Sequence, residues 1–328
     1  MKILFLSYKR LSYLILMSFF TLTAIILFYS VTRLIYGKSS TIFAMSSTVN
    51  TYKTLQVDVN GDGKKEIINI EVDEQKKEYK IEILNDGKKK FSLTPDPKIG
   101  TIGPYTPWWP LQITIADINM DKVPEIITQV AKTGGSPSYI FRWNGKSYER
   151  ILSGFWEGIC LIDVTGDRIP EVIIEERIPN FEYKYTIYSW IVSSYNKIDF
   201  KLDIEVRGYD KIKRLIGLLN SPFEQKYLSS DEFLKTNFTD EWLKKSNNLE
   251  YLNNFSKNIV GIQLQDYIGE EMKWGSDALP KSARFNLRYI AFRKFGTEIK
   301  SENYIAEIET ERIDNYNYKI KSIIFKGQ

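Results

Sequence analysis

The chain has 328 residues, 43% hydrophobic, 26% charged and 14% aromatic, a folding composition with room for two domains that argues against a disordered tail. It contains no histidine, which excludes Ser-His-Asp and Cys-His catalysis and histidine-bound zinc or iron, and its one cysteine, Cys160, excludes an intrachain disulfide. The formal charge of +4 is uneven: residues 1–57 hold Lys2, Lys9, Arg10, Arg33, Lys38 and Lys53 and no acid, and removing those six from the 45 leaves 39 basic against 41 acidic residues, a net −2 that gives no electrostatic case for nucleic acid.

Residues 11–32 carry no charge over 22 positions. At ~1.5 Å rise per residue such a helix spans roughly 33 Å, about one bilayer core. This predicts a transmembrane anchor over residues 11–36, after a cytoplasmic stub at 1–10 and before a linker at 37–49. The apolar run exceeds the ~7–15 residues of a cleaved signal peptide, although Ile42-Phe43-Ala44 resembles a cleavage site. Lys2, Lys9 and Arg10 before the span outnumber Arg33 and Lys38 behind it, which points the N-terminus to the cytoplasm. The bulk of the chain is therefore expected outside the cell membrane, crossed once.

Three windows repeat one frame, starting at Asp58, Asp117 and Asp163 and spaced 59 and 46 residues apart, which suits one small β unit per repeat. Each has oxygen-bearing side chains at loop positions 1, 3 and 5, a glutamate at position 9, and apolar runs on both sides. Ca²⁺ takes about 6–8 oxygens, so closely spaced carboxylates on a coiled loop suit it. Asp58, Asn60, Asp62 and Glu66 would supply side-chain oxygens in the first loop and Lys64 its position-7 carbonyl. Asp117, Asn119, Asp121 and Glu125 with the Val123 carbonyl repeat the set, as do Asp163, Thr165, Asp167 and Glu171 with the Ile169 carbonyl. An EF-hand needs glutamate at position 12, where Asn69, Thr128 and Ile174 stand, and helical flanks, where runs such as Ile126-Ile127-Thr128 and Val172-Ile173-Ile174 read as strands. A single such loop is equally an Asx-rich turn with its acids facing water; recurrence in one hydrophobic frame is what favours the cation.

The windows resemble the FG-GAP/VCBS-type repeats of integrin alpha subunits and bacterial surface proteins, in which such loops join two strands of a propeller blade and hold Ca²⁺. The resemblance covers residues 50–205. Asn85-Asp86-Gly87 and Asn144-Gly145 add hairpin signals, for four strands per repeat. Position 6, where glycine best accepts a left-handed turn, is Gly63, then Lys122 and Arg168, and Thr165 offers only a hydroxyl, so the first loop ranks as the tightest. Three repeats are fewer than the ~4 blades of a closed propeller, leaving the ring partial, degenerate or completed by another element.

From Gly208 the period changes. Ile212, Leu215, Ile216, Leu218 and Leu219 mark an amphipathic helix, and Ser229-Ser230-Asp231-Glu232 opens another with Phe233, Leu234 and Phe238. Strands follow at 259–268, 283–295, 304–313 and 316–325; Phe285, Leu287, Tyr289, Ala291 and Phe295 mark one face of the second. Residues 206–328 thus read as an α+β domain whose order of helices then long strands is similar to the nuclear-transport-factor-two-like cone. The whole is mainly β: an N-terminal transmembrane helix, three propeller-blade-like antiparallel repeats, and the α+β domain.

Tyr105-Thr106-Pro107-Trp108-Trp109-Pro110 suits either packing between β units or stacking on a sugar. Asn237-Phe238-Thr239 and Asn254-Phe255-Ser256 match the glycosylation sequon. The expected function is a membrane-anchored, extracytoplasmic Ca²⁺-binding protein for adhesion, envelope assembly or another protein interaction at the cell surface, with a glycan as the alternative partner. No acid-base pair marks it as an enzyme; the competing hypothesis has the cone-like domain act on or bind a small molecule.

Overall fold

A computed structural model describes residues 17, 21–23, 43–131, 135–178, 182–199, 206–275, 277, 279–314 and 317–327. The chain divides into two compact units, Met1–Ser40 and Thr41–Gln328. In the first, Met17 and residues 21–23 are helical; the rest of the expected anchor at 11–36 lies outside the described residues. Among the described residues no helix is long and apolar enough to cross a membrane.

The second unit is mainly β. Strands β2 (Tyr52–Val57), β3 (Glu66–Asp73), β4 (Glu78–Asn85) and β5 (Lys89–Ser92) form an antiparallel meander, as the four-strand pattern predicts. A second meander has β6 (Leu111–Ala116), β7 (Glu125–Gln129), β8 (Ser136–Trp143) and β9 (Tyr148–Trp156), and a third β10 (Gly158–Ile162), β11 (Glu171–Ile178), β12 (Glu182–Ile191) and β13 (Ser194–Ile198). Asp86 and Gly87, at φ 50° and 66°, make the primed turn that Asn-Asp-Gly signals. Of the expected linker at 37–49, Phe43–Val49 is instead strand β1, paired antiparallel to β6, and residues 37–42 lie outside the described residues.

The burial pattern explains how the meanders stack. In β3 buried residues alternate with half-buried ones, while β6, β7 and β10 are buried throughout and are covered on both faces. Ile113, Ile115, Tyr139 and Phe141 share a core with Leu55, Ile68 and Ile81 of the first meander. Ile127 and Ile140, facing the other way, meet Ile159, Leu161, Val172 and Ile268. Beyond these, Ile162, Phe285, Leu287 and Tyr289 pack under α1 (Tyr209–Asn220), α2 (Asp231–Asn237), α3 (Asp240–Lys244) and α4 (Ser246–Ser256) through Ile212, Leu215, Phe238 and Leu252. Four layers result, each buried aliphatic side chain contributing about 1.5–3 kcal/mol over exposure. The Ser230 hydroxyl accepts the Phe233 N–H to start α2, and that of Thr239 accepts the Trp242 N–H to start α3.

The last four strands, β14 (Ile259–Trp274), β15 (Pro280–Phe295), β16 (Glu298–Asp314) and β17 (Asn317–Gly327), form an antiparallel run joined to the third meander, because β14 pairs parallel with β10. The sheet order is β13-β12-β11-β10-β14-β15-β16-β17, so the division expected at 205/206 falls within one continuous sheet. The joint requires a residue without a side chain: a Cβ on Gly158 would stand 2.1 Å from the Tyr267 ring. That ring cannot swing away, since its hydroxyl donates to the buried Glu175 carboxylate and Tyr209 stacks on it at 4.7 Å.

A wholly buried ion pair ties the second meander to this sheet. The Arg288 guanidinium donates to Asp266 (2.6 Å from Nε), to the Pro110 carbonyl and to the Gln129 carbonyl (3.3 Å), and the Ser136 hydroxyl donates to Asp266 (2.8 Å). On the same face of the sheet Glu270 is buried with one carboxyl oxygen unpartnered and Arg284 only at 3.9 Å, and burial pushes its carboxyl up to about 8.

Gly158→Ala should cost about 1–3 kcal/mol by overpacking, read as a lower denaturant midpoint at unchanged slope. Because Glu270 holds its proton more tightly when folded, its contribution is complete below pH 4.5 and fades as pH rises toward about 8. The melting temperature should therefore fall across that window, and Glu270→Gln should make the fall shallower; an unchanged slope would overturn this reading.

Candidate functional site

Each acidic loop leaves the first strand of a meander and enters the second, and each is closed by a similar set of hydrogen bonds. The position-1 carboxylate accepts backbone N–H groups from across the coil: Asp58 from Gly61 (2.7 Å) and Gly63 (2.9 Å), Asp117 from Asp121 (3.1 Å) and Lys122 (2.8 Å), Asp163 from Gly166 (2.6 Å) and Arg168 (2.8 Å). At position 5, Asp62, Asp121 and Asp167 accept the N–H groups of Lys64, Val123 and Ile169, each at 2.8 Å. The position-3 amides of Asn60 and Asn119 accept the N–H groups of Asp62 (2.9 Å) and Asp121 (3.0 Å).

The position-9 glutamates are buried, and both oxygens of each turn back into the loop. One accepts the position-2 N–H, Glu66 from Val59 (2.9 Å), Glu125 from Ile118 (3.0 Å) and Glu171 from Val164 (2.8 Å). The other accepts from the position-3 side chain, Asn60 (3.0 Å), Asn119 (2.9 Å) or Thr165 (3.3 Å). Glutamate reaches these groups where a shorter acid would fall short, so position 9 holds the coil closed. Burial raises all three carboxyls, Glu125 to about 8, with the neighbouring aspartates adding to the shift.

Position 6 is left-handed in every loop, as the glycine argument predicts: Gly63 at φ 86°, Lys122 at 71° and Arg168 at 72°. Position 4 is left-handed as well, in Gly61, Met120 and Gly166 (φ 76°, 61° and 82°), a feature the sequence reading missed because Met120 carries no glycine signal. The first two loops touch, since a Cβ on Gly61 would stand 2.8 Å from a Val123 methyl.

A second set of residues, also missed, covers the loops from the next unit along. Trp143 and Tyr148, 4.9 Å apart, lie over the first loop: Trp143 lines a cavity of about 480 Å³ with Asn60, Asp62, Asn85, Lys88 and Lys89, and the Tyr148 hydroxyl donates to Asn85 (3.3 Å). Trp190 and Tyr195, 5.0 Å apart, take the same place over the second loop, where burial and then the charges of Glu125 and Asp117 raise the Tyr195 phenol. The third loop is covered by Arg207, which donates to the Asp163 carbonyl (2.8 Å) and to Glu271 (2.5 Å), itself accepting the Asp163 N–H (3.2 Å). The recurring Trp-x4-Tyr was the available signal.

For Ca²⁺, the first loop has a suitable donor set. Its oxygens are hard, Asp58 is half-buried and Asp62 exposed, Lys64 within the loop is held at 2.9 Å by Asp86, and the residue facing Glu66 across the strand pair is the neutral Asn85. In the third loop the facing residue is Ser189, whose hydroxyl donates to Glu171 (3.0 Å). In the second it is Arg142, 2.5 Å from Asp121. Among the described residues no three acidic side chains stand ready as a metal cage, so an ion would have to draw the oxygens together.

Other candidates resolve as packing. Trp109 is buried and Tyr105 lies edge-on to Tyr79 at 5.9 Å, leaving Trp108 as the exposed ring. Asn237 is buried and donates to the Phe233 carbonyl (2.7 Å), so the folded protein offers no glycan acceptor there. The helix-covered face of the last sheet is filled by Phe255, Tyr289, Tyr304 and Phe325; a cavity of about 340 Å³ lined by Arg284, Asn286, Glu307 and Glu309 lies on the opposite face.

Left-handed backbone costs an L-residue about 1–2 kcal/mol, offset in part by the looser unfolded chain of a glycine variant. Gly63→Ala, with nothing within 4 Å of the new methyl, should therefore lose about 1 kcal/mol, and Lys122→Gly should gain up to about 1 kcal/mol, both by equilibrium unfolding. Equal signs for the two would contradict the assignment. A scan against protein-family models finds no match to the chain, and a search of curated proteins finds none similar to it.

Proposed function

We propose that this chain is a membrane-tethered binding protein whose extracytoplasmic part is stiffened by Ca²⁺ at the joint between its first two β units. The observation that carries the reading is the recurrence of one oxygen-lined coil at the same place in three meanders, with an aromatic pair from the following unit laid over the first two. A cation in the first loop would join Asp58, Asn60 and Asp62 to a cavity walled by Trp143 of the second meander, so binding would hold the two units in one orientation. The meanders would act as propeller-like blades, the third continuing into the C-terminal sheet instead of closing a ring. Segment 11–36 would hold the assembly at the membrane, with residues 41–328 outside, where calcium is abundant enough for loops of modest affinity. Stiff, layered β units presented from a membrane suit recognition of a protein at the cell surface in adhesion or envelope assembly.

Calorimetric titration of the 41–328 unit with CaCl₂ should give heat of binding and a raised melting temperature, since a ligand at 100 times its dissociation constant stabilises by about 2.7 kcal/mol. Asp58→Ala with Asp62→Ala should abolish the first-loop component. No heat and no thermal shift in the unaltered protein would overturn the reading.

A further inference from the structure

The three loops also differ at one position that the repeat frame does not include: the residue facing the position-9 glutamate from the third strand of each meander. One step beyond the Ile67–Leu84, Ile126–Phe141 and Val172–Tyr188 pairs stand Asn85, Arg142 and Ser189. Only the second is a cation. Its guanidinium Nη2 donates to Asp121 at 2.5 Å, its Nε lies 3.6 Å from Glu125, and its Cζ lies 4.5 Å from the centroid of the Trp190 ring. Both Asp121 oxygens are thereby engaged: one takes the Val123 N–H (2.8 Å), the other takes Arg142 and the Asn119 amide (3.2 Å).

We propose that Arg142 is the resident cation of the second loop, so that this loop stays closed without a metal ion and Ca²⁺ is excluded from it, in contrast to the first loop. The inference deepens the calcium reading of the first loop but has its own evidence. A calcium ion at the second loop would need the Asp121 oxygen that the guanidinium already holds, which would set a divalent ion beside a fixed positive group of the same site. The covering Trp190 ring keeps the guanidinium in place, favouring the cation over its face, and the side chain is largely withdrawn from water. Neither Asn85 nor Ser189 carries a charge to do the same. The second loop thus keeps the acids of a calcium site while its ion is replaced by the protein's own side chain.

The test is a CaCl₂ titration of unaltered protein, Arg142→Gln, Arg142→Lys and Asp117→Asn with Asp121→Asn, each checked for folding by circular dichroism. Arg142→Gln should bind one more Ca²⁺ per chain than the unaltered protein; the paired aspartate substitution should leave the unaltered stoichiometry as it was, and Arg142→Lys should add no site. Amide exchange gives an independent readout: protection of Ile118 and Lys122 N–H should be indifferent to a chelator in the unaltered protein and become chelator-sensitive in Arg142→Gln. If Arg142→Gln binds no additional ion, or the paired substitution removes one, the proposal is overturned. An unaltered protein that binds nothing while Arg142→Gln binds one ion would sustain this proposal and sink the reading of the first loop.

Discussion

The buried glutamate at loop position 9 is the constraint on which the repeat half depends. Taking a carboxylate out of water is unfavourable unless its oxygens are bonded, and each of Glu66, Glu125 and Glu171 recovers part of that cost from the loop itself, through one backbone N–H and one side chain. The loop can close only in the shape that brings those donors inward, which in turn forces left-handed backbone at positions 4 and 6 and turns the position 1, 3 and 5 oxygens along the coil. The closed loop joins the first two strands of each meander, so one buried acid bears on both the loop and the hairpin it belongs to.

Above that local unit, the stack is held by contacts between distant segments. The pair of Arg288 and Asp266 reaches carbonyls at Pro110 and Gln129 and the hydroxyl of Ser136, so the bonds that satisfy a buried charge in the last sheet also hold the second meander against it. A hydrophobic layer alone would permit sliding; fixed donors on a planar guanidinium do not. The same economy recurs where Trp143 and Tyr148, or Trp190 and Tyr195, cover a loop of the preceding unit.

The sequence was most informative where structure is local. The Asp-x-Asn-x-Asp frame, the glycine position, the strands beside each loop, the Asn-Asp-Gly turn and the Ser230 cap all follow from residues within a few positions of one another. What escaped it depends on separation. Nothing around Gly158 foretells a parallel pairing with a strand near Tyr267, and an arginine at 142 reads as an ordinary strand residue until Glu125 and Asp121 are seen opposite it. Tyr148 meets Asn85 across 63 residues, a contact with no periodic signature. Phe43–Val49 was hidden for the same reason, because its partner β6 begins at Leu111, on the far side of an entire meander.

The junction of β10 with β14 bears on how this molecule carries load and tolerates cutting. Chain connectivity runs from the third meander to the last four strands through a helical excursion, but the shorter mechanical route is the row of backbone hydrogen bonds across that junction. A tug on one half is resisted by the bonds of the four paired positions, Gly158–Tyr267 through Leu161–Glu270, acting together, without the helices having to bear it. A truncation near residue 205 would strip β10 of its neighbour and leave a naked, wholly apolar strand border, the kind of edge on which chains aggregate.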